Sequence, residues 1–290
     1  MKDLVSIVMP TYNHGRYISR ALDSVIAQTY KSWEAIIVDN YSTDNTSDII
    51  ASYSDSRIKH LKINNGGIIG VSRNLGLAEA KGDWIAFLDS DDWWEQSKLE
   101  SSLYEAKNGA ILTYHDLVLE YEQKYFFSKK ISKKFQVKSP VIIDLLTLEN
   151  PIATSSVLVN TAILKKVGGM SEDPSMVGAE DYNTWLKIAK ITNQFKYIPR
   201  TLGGYRIHAG GVSKKDMSSP MKVAVADFQG MLNPRDKNML ESRLNYIRGR
   251  YLYLTANYSA AKNYLVRSLR YSDMRMKSKA LIMLLKMKIF

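Results

Sequence analysis

The sequence contains no cysteine among its 290 residues. Disulfide bonds, thiolate metal sites and a cysteine nucleophile are therefore excluded, and a reducing compartment suits such a chain. Hydrophobic residues make up 45% of the sequence and charged residues 24%, which is typical of a folded globular protein. The length allows one large domain, or one domain with an appendage.

Long hydrophobic runs are also missing. The first apolar run, Leu4 to Pro10, is too short for the core of a signal peptide, and polar Ser6 interrupts it. No window approaches the roughly 20 apolar residues that a membrane-spanning helix needs. These features predict a cytoplasmic protein, at most attached peripherally to the inner face of the membrane.

Basic residues are scarce in the first part of the chain and abundant in the last. Residues 1–110 carry 11 Lys and Arg against 15 Asp and Glu, whereas residues 221–290 carry 14 against 4, a net charge of +10. Such a basic segment could meet nucleic acid, anionic lipid or a phosphorylated acceptor. It could equally be the solvated surface of a set of helices.

Short apolar runs alternate with helical patterns over the first 107 residues. This order predicts an α/β fold whose largely parallel, Rossmann-like sheet carries helices on both faces. The predicted strands are Leu4–Met9, Glu34–Asp39, Ile58–Ile63 and Asp83–Leu88, and the predicted helices are Arg16–Tyr30, Ser42–Tyr53, Val71–Ala80 and Glu95–Lys107. Ligands bind beyond the carboxyl ends of parallel strands. The polar residues Thr11, Asp39, Asn65 and Asp89 should therefore share one ligand-binding edge.

The remainder of the chain is less regular until its final third. Residues 109–125 resemble a long strand or hairpin, and the lysine-rich stretch 129–138 is predicted to be a mobile loop. Helical periodicity dominates from Met221 onward, so we expect a C-terminal helical region at 216–290 after a domain spanning 1–215, with halves at 1–110 and 111–215. The last helix, Met274–Phe290, has an apolar centre between lysines. This pattern suits a membrane interface or packing against Leu265 and Leu269.

The acidic run Asp89-Ser90-Asp91-Asp92 follows the fourth predicted strand. Three carboxylates within four residues repel one another, and a hard divalent cation such as Mg²⁺ or Mn²⁺ would relieve that repulsion and bridge a diphosphate. The alternative is an acidic helix start. We expect Asp92 to have only that role, because Trp93–Glu95 are predicted to begin the next helix.

Two later segments also combine residue types that are used in catalysis. Glu180-Asp181 precedes an amphipathic helix, where an acidic pair either favours the helix N-terminus or supplies a general base. The segment Tyr205–Ser213 places Arg206, His208 and Ser213 among glycines, which suits a loop that folds over a phosphate. His208 could also ligate a metal, whereas His14, His60 and His115 are interpreted as structural.

Five stretches in this order resemble glycosyltransferase family 2, which has the GT-A fold. They are VSIVMPTYN at 5–13, YKSWEAIIVDNYSTDNT at 30–46, NNGGIIGVSRNLGLAEAKGDWIAFLDSDD at 64–92, VGGMSEDPSMVGAEDYNTWLKIA at 167–189 and YRIHAGGVS at 205–213. Together they cover roughly residues 4–213. The resemblance implies an enzyme that moves a sugar from a nucleotide diphosphate sugar to a glycan hydroxyl in surface polysaccharide biosynthesis.

The resemblance also implies roles for individual residues. The nucleotide would contact Pro10, Thr11, Tyr12, Asp39, Asn65, Arg73, Asp89 and Ser90. Mn²⁺ or Mg²⁺ would bind Asp91, with His208 as a further ligand, and the diphosphate would meet the loop residues Arg206, His208 and Ser213. Asp181 would be the general base of an inverting displacement, with Gly169 and Glu180 on the acceptor side. Asn40-Tyr41 departs from the family pattern after Asp39, so a UDP-sugar is favoured but the choice of base is open.

Other classes of function fit the sequence less well. A transferase that loads a sugar onto polyprenyl phosphate shares the first half of the pattern, but spanning helices often follow it there. A dinucleotide-dependent oxidoreductase needs a G-x-G-x-x-G turn after the first strand, which Pro10–Gly15 does not supply. No nucleic-acid-binding module is recognisable, and the acidic first part would repel a phosphate backbone, so we expect no nucleic-acid partner.

Overall fold

The described part of the chain contains one mixed β-sheet. A computed structural model describes residues 3–122, 130–208, 211 and 215–287. Its nine strands are β1 (Val5–Thr11), β2 (Trp33–Asp39), β3 (Ile58–Lys62), β4 (Trp84–Phe87), β5 (Trp93–Trp94), β6 (Leu112–Tyr121), β7 (Lys130–Ser132), β8 (Leu158–Asn160) and β9 (Phe195–Ile207). The strand order is β3-β2-β1-β4-β8-β6-β9-β5, and β7 pairs with β6. Strands β3, β2, β1 and β4 are parallel, as the sequence predicts. Strand β8 is antiparallel to β4 and β6, β9 is parallel to β6, and β5 is antiparallel to β9.

Chain contacts divide the protein into two compact units. The first comprises Met1–Val137, Pro151–Glu172 and Gln194–His208, and the second comprises Lys138–Asn150, Asp173–Asn193 and Ala209–Phe290. The helices of the first unit are α1 (Ile18–Ile26), α2 (Thr46–Ala51), α3 (Ile69–Glu79), α4 (Lys98–Lys107) and α6 (Thr161–Lys166). Those of the second are α5 (Val141–Thr147), α7 (Glu180–Ala189), α8 (Ser218–Ala224), α9 (Pro234–Leu254), α10 (Tyr258–Ser268) and α11 (Met274–Lys286).

The core of the first unit forms where apolar helix faces cover the sheet. Ile18, Leu22 and Val25 of α1 are fully buried against the alternating side chains of β1 and β2. This spacing is the i, i+4, i+7 pattern of one helix face. On α3, a Cβ at Gly76 would overlap the side chain of Val8, so the absence of a side chain lets this helix lie close to β1.

Two sequence-based expectations for this unit are wrong. The residues after the acidic run do not begin a helix: Trp93 and Trp94 form strand β5, antiparallel to Gly204 and Gly203, and α4 begins only at Lys98. A two-residue strand has too few positions to show a period of two, so no pattern marks it. The predicted mobile loop 129–138 contains strand β7, which pairs with β6; residue 129 itself lies outside the described residues.

The second unit is helical in its described parts, and α9, α10 and α11 share a small core. Tyr246, Leu265, Met276 and Ala280 are buried together, with Leu269 packed beside them. The predicted packing of the last helix on Leu265 and Leu269 is therefore confirmed. Among the described ranges, no helix combines the length and apolar character needed to cross a bilayer.

Candidate functional site

The carboxyl ends of β1 and β2 bring two predicted nucleotide residues side by side. Thr11 and Asp39 are paired in register, and the Asn40 amide donates to the Thr11 carbonyl at 3.0 Å. Asp39 is fully buried, and it accepts hydrogen bonds from the Ser42 amide at 2.9 Å and from the Ser47 hydroxyl at 3.0 Å. The carboxylate is thus fixed by the turn that follows β2. A third bond, from the Ser42 hydroxyl at 2.5 Å, leaves a single acceptor position on Oδ2 for a ligand, and His60 Nε2 lies 3.6 Å from that oxygen.

A second turn at the same edge holds Asn65. The Asn65 amide donates to the Asn40 side chain at 2.8 Å, and the Asn65 side chain donates to the Ser72 hydroxyl at 2.9 Å. Gly66 and Gly67 have φ angles of 59° and 84°, in the left-handed region that favours glycine. Asn40, which departs from the family pattern after Asp39, therefore positions the Asn65 turn.

Arg73 and Asp89 form an ion pair at the end of β4. Arg73 is almost fully buried on α3, and its guanidinium donates to Asp89 Oδ1 at 2.7 Å. The side chain of Arg73 is 4% exposed and that of Asp89 is 26% exposed, so the buried guanidinium depends on this carboxylate for its charge partner. The pair therefore fixes the direction of the Asp89 carboxylate at the predicted nucleotide site.

Asp91, His208 and His14 come together beside this pair. His208 Nε2 lies 2.9 Å from Asp91 Oδ2, and one ligand atom from each of the three residues lies within 4.8 Å of the others. Burial, together with the charge of Asp89, raises the pKa of Asp91 above its ordinary value. A nearby cation would relieve this electrostatic penalty. The donor set of one carboxylate and two imidazoles fits Mn²⁺, and less well Mg²⁺, which prefers oxygen ligands.

Asp92 has a different role from the one expected of it. It is buried, not exposed at a helix start, and its Oδ1 accepts a hydrogen bond from the Arg206 amide at 2.9 Å. Burial, reinforced by Asp91 and Asp89, raises the pKa of Asp92 well above its ordinary value. Asp92 therefore ties the end of β9, two residues before His208, to the acidic run. No sequence signal marks this role, because it depends on the pairing of β5 with β9.

The remaining predicted donor residues lie on the same part of the first unit. Pro10 is buried near the end of β1, whereas Tyr12 is about half exposed in the turn that follows. Ser90 is buried and its hydroxyl lies 2.8 Å from His14 Nδ1. The guanidinium of Arg206 lies 4.9 Å from the ring centre of Tyr17. Ser213 lies outside the described residues.

Gly169, predicted on the acceptor side, belongs to a turn held by Asn74 of α3. The Met170 amide donates to the Asn74 side chain at 2.9 Å, and that side chain donates back to the Met170 carbonyl at 2.9 Å. Gly169 has a φ of 67°, and a Cβ there would overlap Asn74. Sequence reasoning did not identify Asn74, since an asparagine inside a helix carries no distinctive signal.

Glu180 and Asp181 lie in the second unit, in the first turn of α7. Glu180 is buried and accepts a hydrogen bond from the Gly178 amide at 2.6 Å. Asp181 is partly exposed, and its Oδ1 accepts from the Tyr182 amide at 2.6 Å. Within this unit, then, Glu180 shapes the turn before the helix while Asp181 presents a carboxylate at its start.

The sequence is similar to known glycosyltransferases. The sequence model described as glycosyl transferase family 2 matches residues 6–157. An Escherichia coli protein, UDP-Glc:alpha-D-GlcNAc-diphosphoundecaprenol beta-1,3-glucosyltransferase WfaP, is 33% identical over 218 residues, covering 73% of this chain and 80% of that protein. A second E. coli enzyme of the same description, WfgD, is 35% identical over 191 residues, covering 66% of this chain and 71% of that protein.

Solved structures share the fold. The crystal structure of S. aureus TarS 1-349 in complex with UDP-GlcNAc gives a TM-score of 0.65 at 22% identity, covering 95% of this chain and 83% of that one. Mannosyltransferase PcManGT from Pyrobaculum calidifontis, in complex with GDP-Man and Mn²⁺, gives a TM-score of 0.66 at 18% identity, covering 100% of this chain and 81% of that one. At these identities the likeness concerns the GT-A fold alone.

Proposed function

The chain belongs to glycosyl transferase family 2 and is a glycosyltransferase that acts on nucleotide sugars; from that premise we propose that it is an inverting, metal-dependent enzyme using a UDP-sugar. The acceptor in this proposal is a hydroxyl of a lipid-linked glycan in polysaccharide biosynthesis. The observation that carries the proposal is the cluster of Asp91 and His208 beside the Arg73–Asp89 pair.

The donor side of the proposal uses the edge formed by β1, β2 and β4. Asp39 and Asn65 would bind the base, Thr11 and Tyr12 would line its pocket, and Asp89 would bind the ribose. The buried hydroxyl of Thr11 has no hydrogen-bond partner among the described residues, which is expected of a group whose partner is a bound ligand. A uracil base offers both an N–H donor and carbonyl acceptors to such groups.

Asp91 and His208 would hold a divalent cation, Mn²⁺ or Mg²⁺, which supplies positive charge to the diphosphate leaving group when bound. Arg206 would add a charge-assisted hydrogen bond. This role is supported by its backbone amide, which donates to Asp92, and by its Nε, which donates to the Asp91 carbonyl at 3.3 Å. Ser213 belongs to the same proposed loop by sequence. A leaving group stabilised in this way needs no proton, so no second acidic catalyst is required.

Asp181 would be the general base. An acceptor hydroxyl must lose its proton as it attacks the anomeric carbon, and a partly exposed carboxylate at a helix start can accept it. One base and one direct displacement invert the configuration of that carbon. Glu180 and Gly169 are the residues that we propose for the acceptor side, and each belongs to a tight turn within its own unit.

The acceptor class is suggested by the relatives. WfaP and WfgD are named for transfer to GlcNAc linked through a diphosphate to undecaprenol, so a membrane-anchored glycan is the acceptor we propose. Transfer to polyprenyl phosphate itself is the second candidate. The two differ in the nucleophile, which is a sugar hydroxyl in the first case and a phosphate oxygen in the second.

A donor panel tests the proposal. UDP-, GDP- and dTDP-sugars would be incubated with Mn²⁺ or Mg²⁺ and either a GlcNAc-diphospholipid or a polyprenyl phosphate, and released nucleoside diphosphate would be measured. We expect UDP release that depends on the metal and on the glycolipid, and its loss in Asp91→Asn. Release that is unchanged in Asp91→Asn, or no release with any donor, would contradict the proposal.

We also propose that α11 carries a membrane-contacting face. Met276 and Ala280 point into the core, while the opposite side of the helix exposes Met274 (75%), Leu281 (48%), Ile282 (53%) and Leu285 (60%). At 100° per residue these four fall on one stripe, with Lys277 on one flank and Lys286 on the other. An apolar stripe flanked by lysines suits an anionic lipid surface, where the lysines meet the headgroups and the apolar side chains enter the interface. A nucleic-acid phosphate backbone would contact the lysines but would not bury the apolar side chains.

Liposome co-sedimentation tests this face. We expect the full chain to bind vesicles containing phosphatidylglycerol, and binding to fall at least tenfold in the triple variant Leu281→Ser, Ile282→Ser, Leu285→Ser. Ile191→Ser is the matched control, since that residue is also exposed (44%) in the second unit but lies off the stripe. Equal binding by the triple variant and the control would overturn the assignment without affecting the proposed chemistry.

A further inference from the structure

The turn that carries His14 is held rigidly at the end of β1. The Asn13 amide donates to the Ser42 hydroxyl at 2.8 Å, and the Gly15 amide donates to Asp44 Oδ2 at 3.0 Å. The His14 carbonyl accepts from the Tyr17 and Ile18 amides, each at 2.9 Å, at the start of α1. Both neighbours of His14 are thus anchored, so the backbone fixes the position from which the imidazole extends.

The ring of His14 is also oriented by its surroundings. Nδ1 lies 2.8 Å from the hydroxyl of buried Ser90, inside the acidic run. The ring centre lies 5.5 Å from that of Tyr17 and 5.9 Å from that of His208. A proton on Nδ1, shared with Ser90, leaves the lone pair on Nε2. Histidines that bind metals are commonly held this way, with the second nitrogen bonded to a neighbouring polar group.

The separations in the cluster suit shared coordination. Two ligand atoms at adjacent positions around a small octahedral ion, each about 2.1 Å from it, lie about 3 Å apart. His208 Nε2 and Asp91 Oδ2 are 2.9 Å apart, and the His14 ligand atom completes a set spanning no more than 4.8 Å.

We propose that His14 is a third protein ligand of the divalent cation, with Ser90 as its positioning residue, and that this second imidazole makes the site selective for Mn²⁺ over Mg²⁺. The inference rests on the proposed function, because it concerns the same cation. Nitrogen ligands suit Mn²⁺ and later transition metals, whereas Mg²⁺ prefers oxygen and dehydrates reluctantly. A site with Asp91 and one imidazole would discriminate less.

Pulsed electron paramagnetic resonance of Mn²⁺ bound to the full chain, with and without UDP, tests the ligand directly, since coordinated imidazole nitrogens couple to the Mn²⁺ spin. We expect two coordinated histidine nitrogens in the wild type and one in His14→Gln and His14→Ala. We also expect Mn²⁺ affinity to fall at least tenfold in both variants while Mg²⁺ affinity, measured by competition, changes less than threefold. The control is His115→Asn, which replaces a histidine on β6 that does not belong to the cluster. It should leave both affinities within twofold of the wild type.

The outcomes separate the ligand assignment from the proposed function. One coordinated nitrogen in the wild type, with Mn²⁺ binding lost in Asp91→Asn, would overturn the role of His14 and leave the metal site standing. The role of His14 would also be overturned if His14→Gln is folded, as judged by circular dichroism, and binds Mn²⁺ with the affinity of the wild type. Failure of the wild type to bind Mn²⁺ even with UDP would remove the metal from the proposed function, and His14 with it.

Discussion

Asp181 is the residue whose chemistry the proposed mechanism needs most. It lies in the first turn of α7, where Glu180 is already used to hold the Gly178 amide. Replacing Asp181 with asparagine preserves size and hydrogen bonding but removes the proton acceptor. We expect transfer to fall about 10²- to 10⁴-fold, the usual worth of a general base. Binding of UDP, measured by calorimetry with Mn²⁺, should remain within threefold of the wild type.

The control for that prediction is Asp173→Asn, which changes another carboxylate of the second unit. Asp173 caps a single 3₁₀ turn by accepting from the Ser175 amide at 2.8 Å, and asparagine can cap in the same way. Its transfer rate should match that of the wild type. Wild-type transfer by Asp181→Asn would assign the base to another residue.

His115 on β6 links the pH to the stability of the fold. It is fully buried, its Nδ1 donates to the Asp116 carbonyl at 2.8 Å, and burial, aided by Lys98, lowers its pKa to about 3. An unfolded histidine titrates near 6.5, so between these values the unfolded state binds a proton that the folded state does not. Stability contributed by the neutral ring is therefore present above pH 6.5 and is lost progressively as the pH falls towards 3.

We expect the free energy of unfolding to decline below pH 6.5 more steeply in the wild type than in His115→Asn, by on the order of 1 kcal/mol per pH unit. Asparagine keeps a donor near the Asp116 carbonyl and cannot take up the proton. Urea titrations at pH 7.5, 6 and 5 measure the difference. Parallel curves for the two proteins would show that His115 does not titrate differently on unfolding.

Residue types and order in the sequence were sufficient to predict where the proposed donor residues of the first unit lie in the fold, because each follows a recognisable strand. Thr11 and Asp39 are register neighbours, and Asp89 and Asp91 lie after β4 as expected. The contact between His14 and Ser90 could not be predicted, since the two are 76 positions apart and neither type is distinctive. Whether each residue has its proposed role stays a prediction.

At the scale of elements, β5 decides how the acidic run meets the end of β9. Trp93 and Trp94 pair with Gly204 and Gly203. This short ladder brings Asp92 within hydrogen-bonding distance of the Arg206 amide. A Cβ at Gly204 would overlap the Trp93 ring, so the glycine is required for the pairing. The element is two residues long, yet it brings the end of β9 to the acidic run.

Asp92 tests that linkage. The side-chain carbonyl of asparagine can accept the same hydrogen bond from the Arg206 amide, so Asp92→Asn should hold the donor KM within threefold. Asp92→Leu leaves the Arg206 amide without its partner, which costs about 1–3 kcal/mol for a buried group. We expect a donor KM at least tenfold higher and a lower melting temperature. Equal KM values for both variants would contradict the anchoring role.

The regular elements followed from periodicity, and the irregular ones did not. Helices α1 and α4 and strands β1 to β4 fall within the predicted segments, apart from ends that differ by a few residues. Strands β8 and β9 escaped prediction because β8 has three residues and β9 contains Pro199 and two glycines, which disguise a strand pattern. Their pairing depends on long-range contacts that no local window contains.

At the scale of the whole molecule, the proposed donor residues and the most basic segment lie in different parts of the sequence. The acidic first 110 residues contain Asp39, Asp89 and Asp91, while residues 221–290 hold a net charge of +10 and the apolar stripe of α11. The proposed acceptor is anchored in a lipid, and the basic segment offers a way to reach the surface that holds it. High salt should therefore weaken vesicle binding more than it weakens UDP binding.

The anomeric configuration of the product tests the central claim most directly. Wild-type enzyme would be given an α-linked UDP-sugar, Mn²⁺ and a GlcNAc-diphospholipid, and the new linkage would be assigned by nuclear magnetic resonance from its anomeric proton coupling. Direct displacement with Asp181 as the single base predicts a β-linked product that forms only when the metal is present. An α-linked product, or the same β-linked yield after the metal has been chelated, would contradict it.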